Sequence, residues 1–168
     1  MSDSTRKSRQ QVVDSLHQVA AEMHNRMQRG DPPRMTLPVR SKSNISFDNR
    51  LGVFKYGKSK TVRDATKLGS ARQLLRTLHI TEFIEEMIDS GKSSTLREMY
   101  YISEGWGNGK FGSQNESNNL AEDLEIVTKC LREDFKLRPE EDGARIIGNI
   151  TVEERNRRGE WMTINCRD

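Results

Sequence analysis

Long apolar runs are missing from this 168-residue chain. Nothing in it approaches the roughly 18 consecutive apolar residues that a spanning helix needs. The first ten residues, MSDSTRKSRQ, are polar, which is not the composition of a secretory leader, so an intracellular, cytoplasmic protein is expected. Cysteine is nearly missing as well. Cys130 and Cys166 are the two present, without metal-type spacing, which leaves neither a disulfide framework nor a zinc site to build on. His17, His24 and His79 are too scattered to suggest a ligand cluster. No D-x-D motif occurs anywhere in the chain. What is plentiful is charge, with 28 Lys and Arg against 25 Asp and Glu. The two signs are not mixed evenly. Residues 1–80 hold 16 cations and 6 anions, residues 81–142 hold 7 and 15, and residues 143–168 hold 5 and 4. A basic first half points to a polyanion or an acidic partner.

Apolar periodicity divides the chain. Val12, Leu16, Val19, Met23 and Met27 draw a narrow stripe along a helix expected over Ser8 to Arg29, which Gly30-Asp31-Pro32-Pro33 stops. A narrow, methionine-rich stripe near a chain end suits either a partner or the helix's own domain. Arg34 to Lys67 reads as short strands, Met35/Leu37/Val39, Ile45/Phe47 and Val53/Phe54, with a hairpin turn at Tyr56-Gly57-Lys58. The segment carries Arg40, Lys42, Arg50, Lys55, Lys58, Lys60, Arg63 and Lys67, which suits phosphate tracking or edge protection. Ser70 to Ser90 is helical but changes phase: Ala71, Leu74, Leu75 and Leu78 share one face, and Ile80, Phe83, Ile84, Met87 and Ile88 nearly the opposite one. Burial on both sides or a bend near His79 would account for it. His79 itself is expected to be packed.

The stretch TLREMYYISEGWGNGKFG, Thr95 to Gly112, carries the chemistry. Thr95 with Glu98 is a capping box, so a helix starts there and is expected to reach about Gly105. At 100° per residue Leu96, Met99, Tyr100 and Ser103 share the core face, while Arg97, Tyr101 and Glu104 share the adjoining polar one. Tyr101 with Arg97 one turn before it is therefore a candidate nucleophile with an anion stabiliser. An amphipathic helix with one buried and one rim tyrosine fits the same residues. Gly107-x-Gly109-x-x-Gly112 matches the dinucleotide fingerprint in letters only, because a helix precedes it and no βαβ unit surrounds it. A pliant loop bearing Lys110, Trp106 and Phe111 remains.

Ser113-x-x-Glu116 caps a further helix striped by Leu120, Leu124, Val127 and Leu131. Its first turn offers Gln114, Asn115, Ser117, Asn118 and Asn119, whereas Glu122, Asp123 and Glu125 are expected to repel DNA. ARIIGNITV (Ala144 to Val152) and EWMTIN (Glu160 to Asn165) flank an arginine-rich turn with Arg155, Arg157 and Arg158. Helix, helix, hairpin in that order describes a winged helix-turn-helix. The fold class expected is α+β, a CAP-like winged helix over residues 69–168, preceded by a basic β segment over 34–68 and an amphipathic helix within 1–33.

The segments STLREMYYISE (Ser94 to Glu104) and DGARIIGNITVEE (Asp142 to Glu154), with LEIVTKCLRE between them, resemble the type IIB DNA topoisomerase family, the A subunits of archaeal DNA topoisomerase VI and the related meiotic double-strand-break transesterase. The similarity covers at least Gly69 to Glu154. The L-R-E-x-Y-Y run holds the family's active-site tyrosine as the second of the pair, which falls on Tyr101, with its partner arginine on Arg97. Arg132 matches a basic position of the family. The resemblance implies an A2B2 heterotetramer on double-stranded DNA. Each A subunit cuts one strand through a 5′-phosphotyrosyl link, and an ATPase B subunit drives gating with ATP. It also implies Mg2+, held by a Toprim domain with a Glu and a D-x-D that this sequence does not contain. A DNA-cleavage winged-helix part lacking that metal half is expected, nucleoid-associated, binding DNA but cutting poorly alone. The DNA contacts expected are Lys110, Arg132, Arg155, Arg157 and Arg158. The N-terminal helix is similar to the family's region that packs against the B subunit. Two other readings stand beside this one, a non-catalytic winged-helix transcription regulator and a pure assembly module.

Overall fold

A computed structural model describes residues 7–50, 52–138, 148–155 and 161–165. Helix α1 (Arg9–Gln28) starts where the Ser8 hydroxyl accepts from Gln11 N and Ser8 N donates back to Gln11 Oε1, a reciprocal cap that satisfies two free amides. It ends at Gly30, whose φ of 77° few side chains tolerate. Val12, Leu16, Val19 and Met23 are buried, and α1 packs on the two long helices that follow. The stripe read as a partner surface is thus covered by the chain itself, and of its residues only Met27 is exposed. Burying such side chains stabilises by about 1.5–3 kcal/mol each.

The β segment is two nested ribbons. Strand β1 (Arg34–Pro38) pairs antiparallel with β4 (Lys60–Asp64), and between them β2 (Ile45–Asp48) pairs with β3 (Val53–Tyr56). The hairpin expected at Tyr56-Gly57-Lys58 does not form, because β4 turns away from β3 to β1. Asn44 makes that switch. Its buried amide donates to Val39 O at 2.8 Å and Ser59 O at 3.0 Å, and its Oδ1 accepts from Ser59 N at 3.0 Å. One side chain thereby replaces the ladder bonds lost where the inner ribbon leaves the outer one. Gly57 approaches closely enough that a Cβ would meet Asn44 Oδ1 at 2.5 Å.

Helix α2 (Leu68–Ser90) is one continuous helix, so two-sided burial accounts for its phase change. Leu74, Ile80, Phe83, Ile84, Met87 and Ile88 are buried, and Thr77 and Thr81 fill the remaining face by returning their hydroxyls to Gln73 O and Thr77 O. Around it lie α1, β4, and α4 (Gln114–Thr128). Between α2 and α4 come β5 (Ser94–Thr95), α3 (Leu96–Ile102) and a 3-10 turn, Ser103–Gly109. After α4, β6 (Leu137–Arg138) pairs in parallel with β5. One buried cluster runs from Val12 through Met35 to Leu137, joining the N-terminal helix, the β segment and the helical part.

The last ribbon pairs β7 (Thr151–Arg155) with β8 (Trp161–Asn165). Its first strand is described from Thr151, and of the strand expected from Ala144, residues 144–147 lie outside the described ones. Arg155 lies in the strand opposite Trp161 and not on the turn, while Arg157, Arg158 and Cys166 fall outside the described residues. The mixed helix and strand content fits the α+β class.

The β segment is fastened to α4 by charge. Arg40 pairs with Glu122 at 2.6 Å and with Asp123, and Arg63 pairs with the other oxygen of Asp123, a residue 2% exposed. Burial, and then the neighbouring Arg40, push the Arg63 guanidinium below its usual value. Removing the carboxylate leaves two half-buried cations facing each other. Asp123→Ala is expected to lower unfolding free energy by about 3 kcal/mol in a urea titration, and a variant as stable as the parent would show that the cluster is not what docks α4.

Candidate active site around Tyr101

Local sequence sets the start of α3. Thr95 Oγ1 accepts from Glu98 N at 3.0 Å, as the cap requires. The Glu98 carboxylate takes the Ser94 hydroxyl at 2.7 Å. The helix is shorter than expected and passes into the 3-10 turn at Ser103. Phasing then separates the tyrosines. Met99 and Leu96 are buried and Tyr100 packs against the core, whereas Tyr101 is 56% exposed. Arg97 Nε donates to Tyr101 Oη at 3.4 Å, and its guanidinium carbon lies 5.9 Å from the ring centroid. Thr95, Arg97, Glu98, Tyr101 and Ile102 line a shallow hollow of about 440 Å³. A phenol, the kind of group that can act as a nucleophile, and a guanidinium thus lie side by side on an exposed face of α3.

The glycine-rich stretch behind Tyr101 is not a pliant loop. Trp106 stacks on His79 with ring centroids 5.1 Å apart and 18° between planes, and Phe111 meets its edge at 5.3 Å. His79 is packed, as the sequence implies. The buried Ser103 hydroxyl donates to Tyr100 O at 2.6 Å and accepts from Phe111 N at 3.3 Å, which holds the end of α3 to the turn. The glycines serve this packing: Gly107 has φ 56° and ψ −118°, and a Cβ on Gly109 would lie 2.7 Å from His79 Nε2. Glu116 closes the far side, accepting from Gly112 N at 2.8 Å and pairing with Arg76, whose Nε donates to Lys110 O at 2.8 Å.

The cations named from sequence fare differently. Arg97 is brought to Tyr101. Arg132 pairs with Glu125 at 2.6 Å, and Lys110 pairs with Glu104. The acidic flank expected to repel DNA is therefore engaged inside the chain, Glu122 and Asp123 by Arg40 and Arg63, Glu125 by Arg132. Sequence reasoning missed Arg138. The β5–β6 ladder sets it opposite Thr95, the cap of the tyrosine helix, from 43 residues further along the chain. Two-residue strands carry no periodicity that could have revealed it. No group of three or more His, Cys, Asp or Glu gathers as a metal site among the described residues.

Gly109→Ala is expected to displace His79 from Trp106 and to cost roughly 1–3 kcal/mol of stability, read as a lower urea midpoint with a changed near-ultraviolet tryptophan signal. An unaltered spectrum would mean that the turn tolerates a side chain and does not clamp α3.

A family profile described as "Type IIB DNA topoisomerase" matches residues 72–137, and one described as "All-beta domain in DNA topoisomerase VI alpha subunit" matches residues 140–168. The A subunit of type 2 DNA topoisomerase 6 from Halobacterium salinarum is 42% identical over 170 residues, 100% of this chain and 46% of that protein. The protein of the same name from Haloarcula marismortui is 40% identical over 98% of this chain and 44% of its own length. That from Archaeoglobus fulgidus is 44% identical over 89% and 41%. The chain spans about half the length of these curated relatives.

Proposed function

The chain belongs to the type IIB DNA topoisomerases, as a relative of topoisomerase VI A subunits, and from that premise we propose that it is the DNA-binding and strand-cleaving part of such a protein, with Tyr101 as nucleophile. The observation that carries the reading is the pairing of an exposed Tyr101 with Arg97, one helical turn apart at the rim of an open hollow. In the proposed step Tyr101 Oη attacks a backbone phosphorus, a P–Oη bond forms, and the P–O3′ bond breaks. The phenolic proton passes to solvent or a nearby base, and the 3′-oxygen leaves as a hydroxyl after taking up a proton. The product is a 5′-phosphotyrosyl link. A phenol with an ordinary pKa of about 10 is a reluctant nucleophile at neutral pH, so positive charge at the site matters. Arg97 supplies it, through a fork that can bridge two non-bridging oxygens. Because one phosphodiester replaces another, resealing needs no ATP.

Under the same reading α3, the packed turn and α4 form a helix-turn-helix with β7–β8 as the wing of a CAP-like fold. The engaged acids of α4 leave its amide-rich first turn, Gln114, Asn115, Asn118 and Asn119, to approach a duplex. Arg155, Arg157 and Arg158 are assigned to backbone phosphates. Lys110 and Arg132 are retained as secondary contacts, since each already has a carboxylate. The partners are double-stranded DNA, a second A subunit, and an ATP-hydrolysing B subunit in an A2B2 assembly, in a cytoplasmic, nucleoid-associated setting. Burial of the α1 stripe leaves the polar outer face of that helix to meet the B subunit. Magnesium would polarise the scissile phosphate. Among the described residues no three or more His, Cys, Asp or Glu gather to hold that ion, and the buried Asp123 is held by two arginines, so the chemistry assigned to the described residues is that of Tyr101 and Arg97. No helix among the described residues is long and apolar enough to cross a membrane. A transcription regulator is not favoured, because the relatives are named as topoisomerase subunits.

In the full-length protein, joined to its ATPase partner and supplied with Mg2+, Tyr101→Phe is expected to reduce the covalent protein–DNA adduct to background while changing stability by no more than about 0.5 kcal/mol. Tyr100→Phe is expected to keep the adduct. Adduct formation by the Tyr101 variant, scored on a denaturing gel with end-labelled DNA, would remove Tyr101 from the chemistry.

A further inference from the structure

The cations the sequence points to beside the tyrosine are largely engaged with carboxylates, Lys110 with Glu104 and Arg132 with Glu125. A different set is not. Lys92, Lys136 and Arg138 line a cleft of about 330 Å³ that adjoins β5, and none of the three has an ion-pair partner among the described residues. Glu133 is the one carboxylate on its wall among the described residues.

Two features of the ladder connect this cleft to the tyrosine. Ser94 and Leu137 are paired in register and both are buried, at 4% and 1% exposure. Side chains alternate along a strand, so the next pair, Thr95 and Arg138, faces outward together. Thr95 lines the hollow that holds Arg97 and Tyr101, and Arg138 lines the cleft, so one wall residue of each depression sits on the same ladder rung. Neighbouring strands lie about 4.8 Å apart, which an extended arginine side chain spans. The backbone is firmly set, with Ser94 N donating to Lys136 O at 3.0 Å and Lys136 N to Glu133 O at 3.2 Å, in a left-handed turn with φ 59° at Lys136.

We propose that Lys92, Lys136 and Arg138 form a phosphate-binding extension of the Tyr101 site, holding the DNA backbone next to the phosphodiester under attack. The proposal rests on the reading of the chain as the DNA-binding part of a topoisomerase. Three of the described residues that line the cleft are cations, which grip a sugar–phosphate backbone whatever the sequence, so the backbone is the ligand proposed for it. Arg138, nearest the tyrosine helix, grips the phosphate adjoining the scissile one, and the lysines follow the strand outward.

The test uses the whole chain and short duplexes of unrelated sequence, with binding followed by fluorescence anisotropy over a salt series. The triple variant Lys92→Gln, Lys136→Gln, Arg138→Gln is expected to bind every duplex more weakly by a similar factor. Its slope of log affinity against log salt should be shallower by roughly 0.9 for each contact removed, about 2 to 3 in all. The charge-preserving set Lys92→Arg, Lys136→Arg, Arg138→Lys should keep the parent slope, and an unchanged unfolding midpoint shows that the neutral variant is folded. A folded neutral variant with the parent slope overturns the assignment of these three cations. A parent chain that leaves duplex DNA unbound overturns the DNA-binding reading itself.

Discussion

Asp123 is the point on which the arrangement of this molecule turns. A carboxylate that is 2% exposed costs several kcal/mol to bury unless it is paired, and the partners come from another part of the chain, Arg40 after β1 and Arg63 on β4. Helix α4 can therefore dock only in the register that delivers Asp123 to both arginines. The same contact orients the nested ribbons, and it turns the acidic flank of α4 towards the chain's own cations. The opposed charges of the first and middle segments of the sequence are thus in part each other's partners, an arrangement that frees the amide-rich start of α4 from its acidic neighbours.

The tyrosine site is built by a second constraint, the rigid ending of α3. Seven residues of helix hold a side chain poorly in isolation. Here the helix is capped at Thr95, paired to β6 through β5, and closed by Ser103 and by the Trp106–His79 stack. The glycines that look like a nucleotide cradle are explained by this packing, since Gly109 lies against an imidazole and Gly107 takes a backbone angle that few other residues adopt. Tyr101 can be exposed and still well positioned, because what holds it is behind it.

The fold and the site were legible in the sequence to different depths, and helices account for most of what was read. Capping boxes and 3.6-residue stripes are local, so the starts of α1, α3 and α4 and the different burial of Tyr100 and Tyr101 follow from residues within one or two turns. Strand pairing is not local. The turn at Tyr56-Gly57-Lys58 has the composition of a hairpin, yet Asn44 draws β4 to β1, and nothing in the short-range pattern records that choice. The stripe on α1 shows the same limit. Its spacing showed that it would be buried but not against what, and α2 and α4 cover it.

Arg97 and Tyr101 share a helix face because of a period built into the backbone, so the sequence by itself determined that pair, and with it the family resemblance and the chemistry expected. Which of the named cations are engaged with carboxylates was decided only by the tertiary structure. Ion pairs depend on distances between residues far apart in the chain. Folding brings Glu125 to Arg132 and Glu104 to Lys110, and sets Arg138 against Thr95 across two short strands.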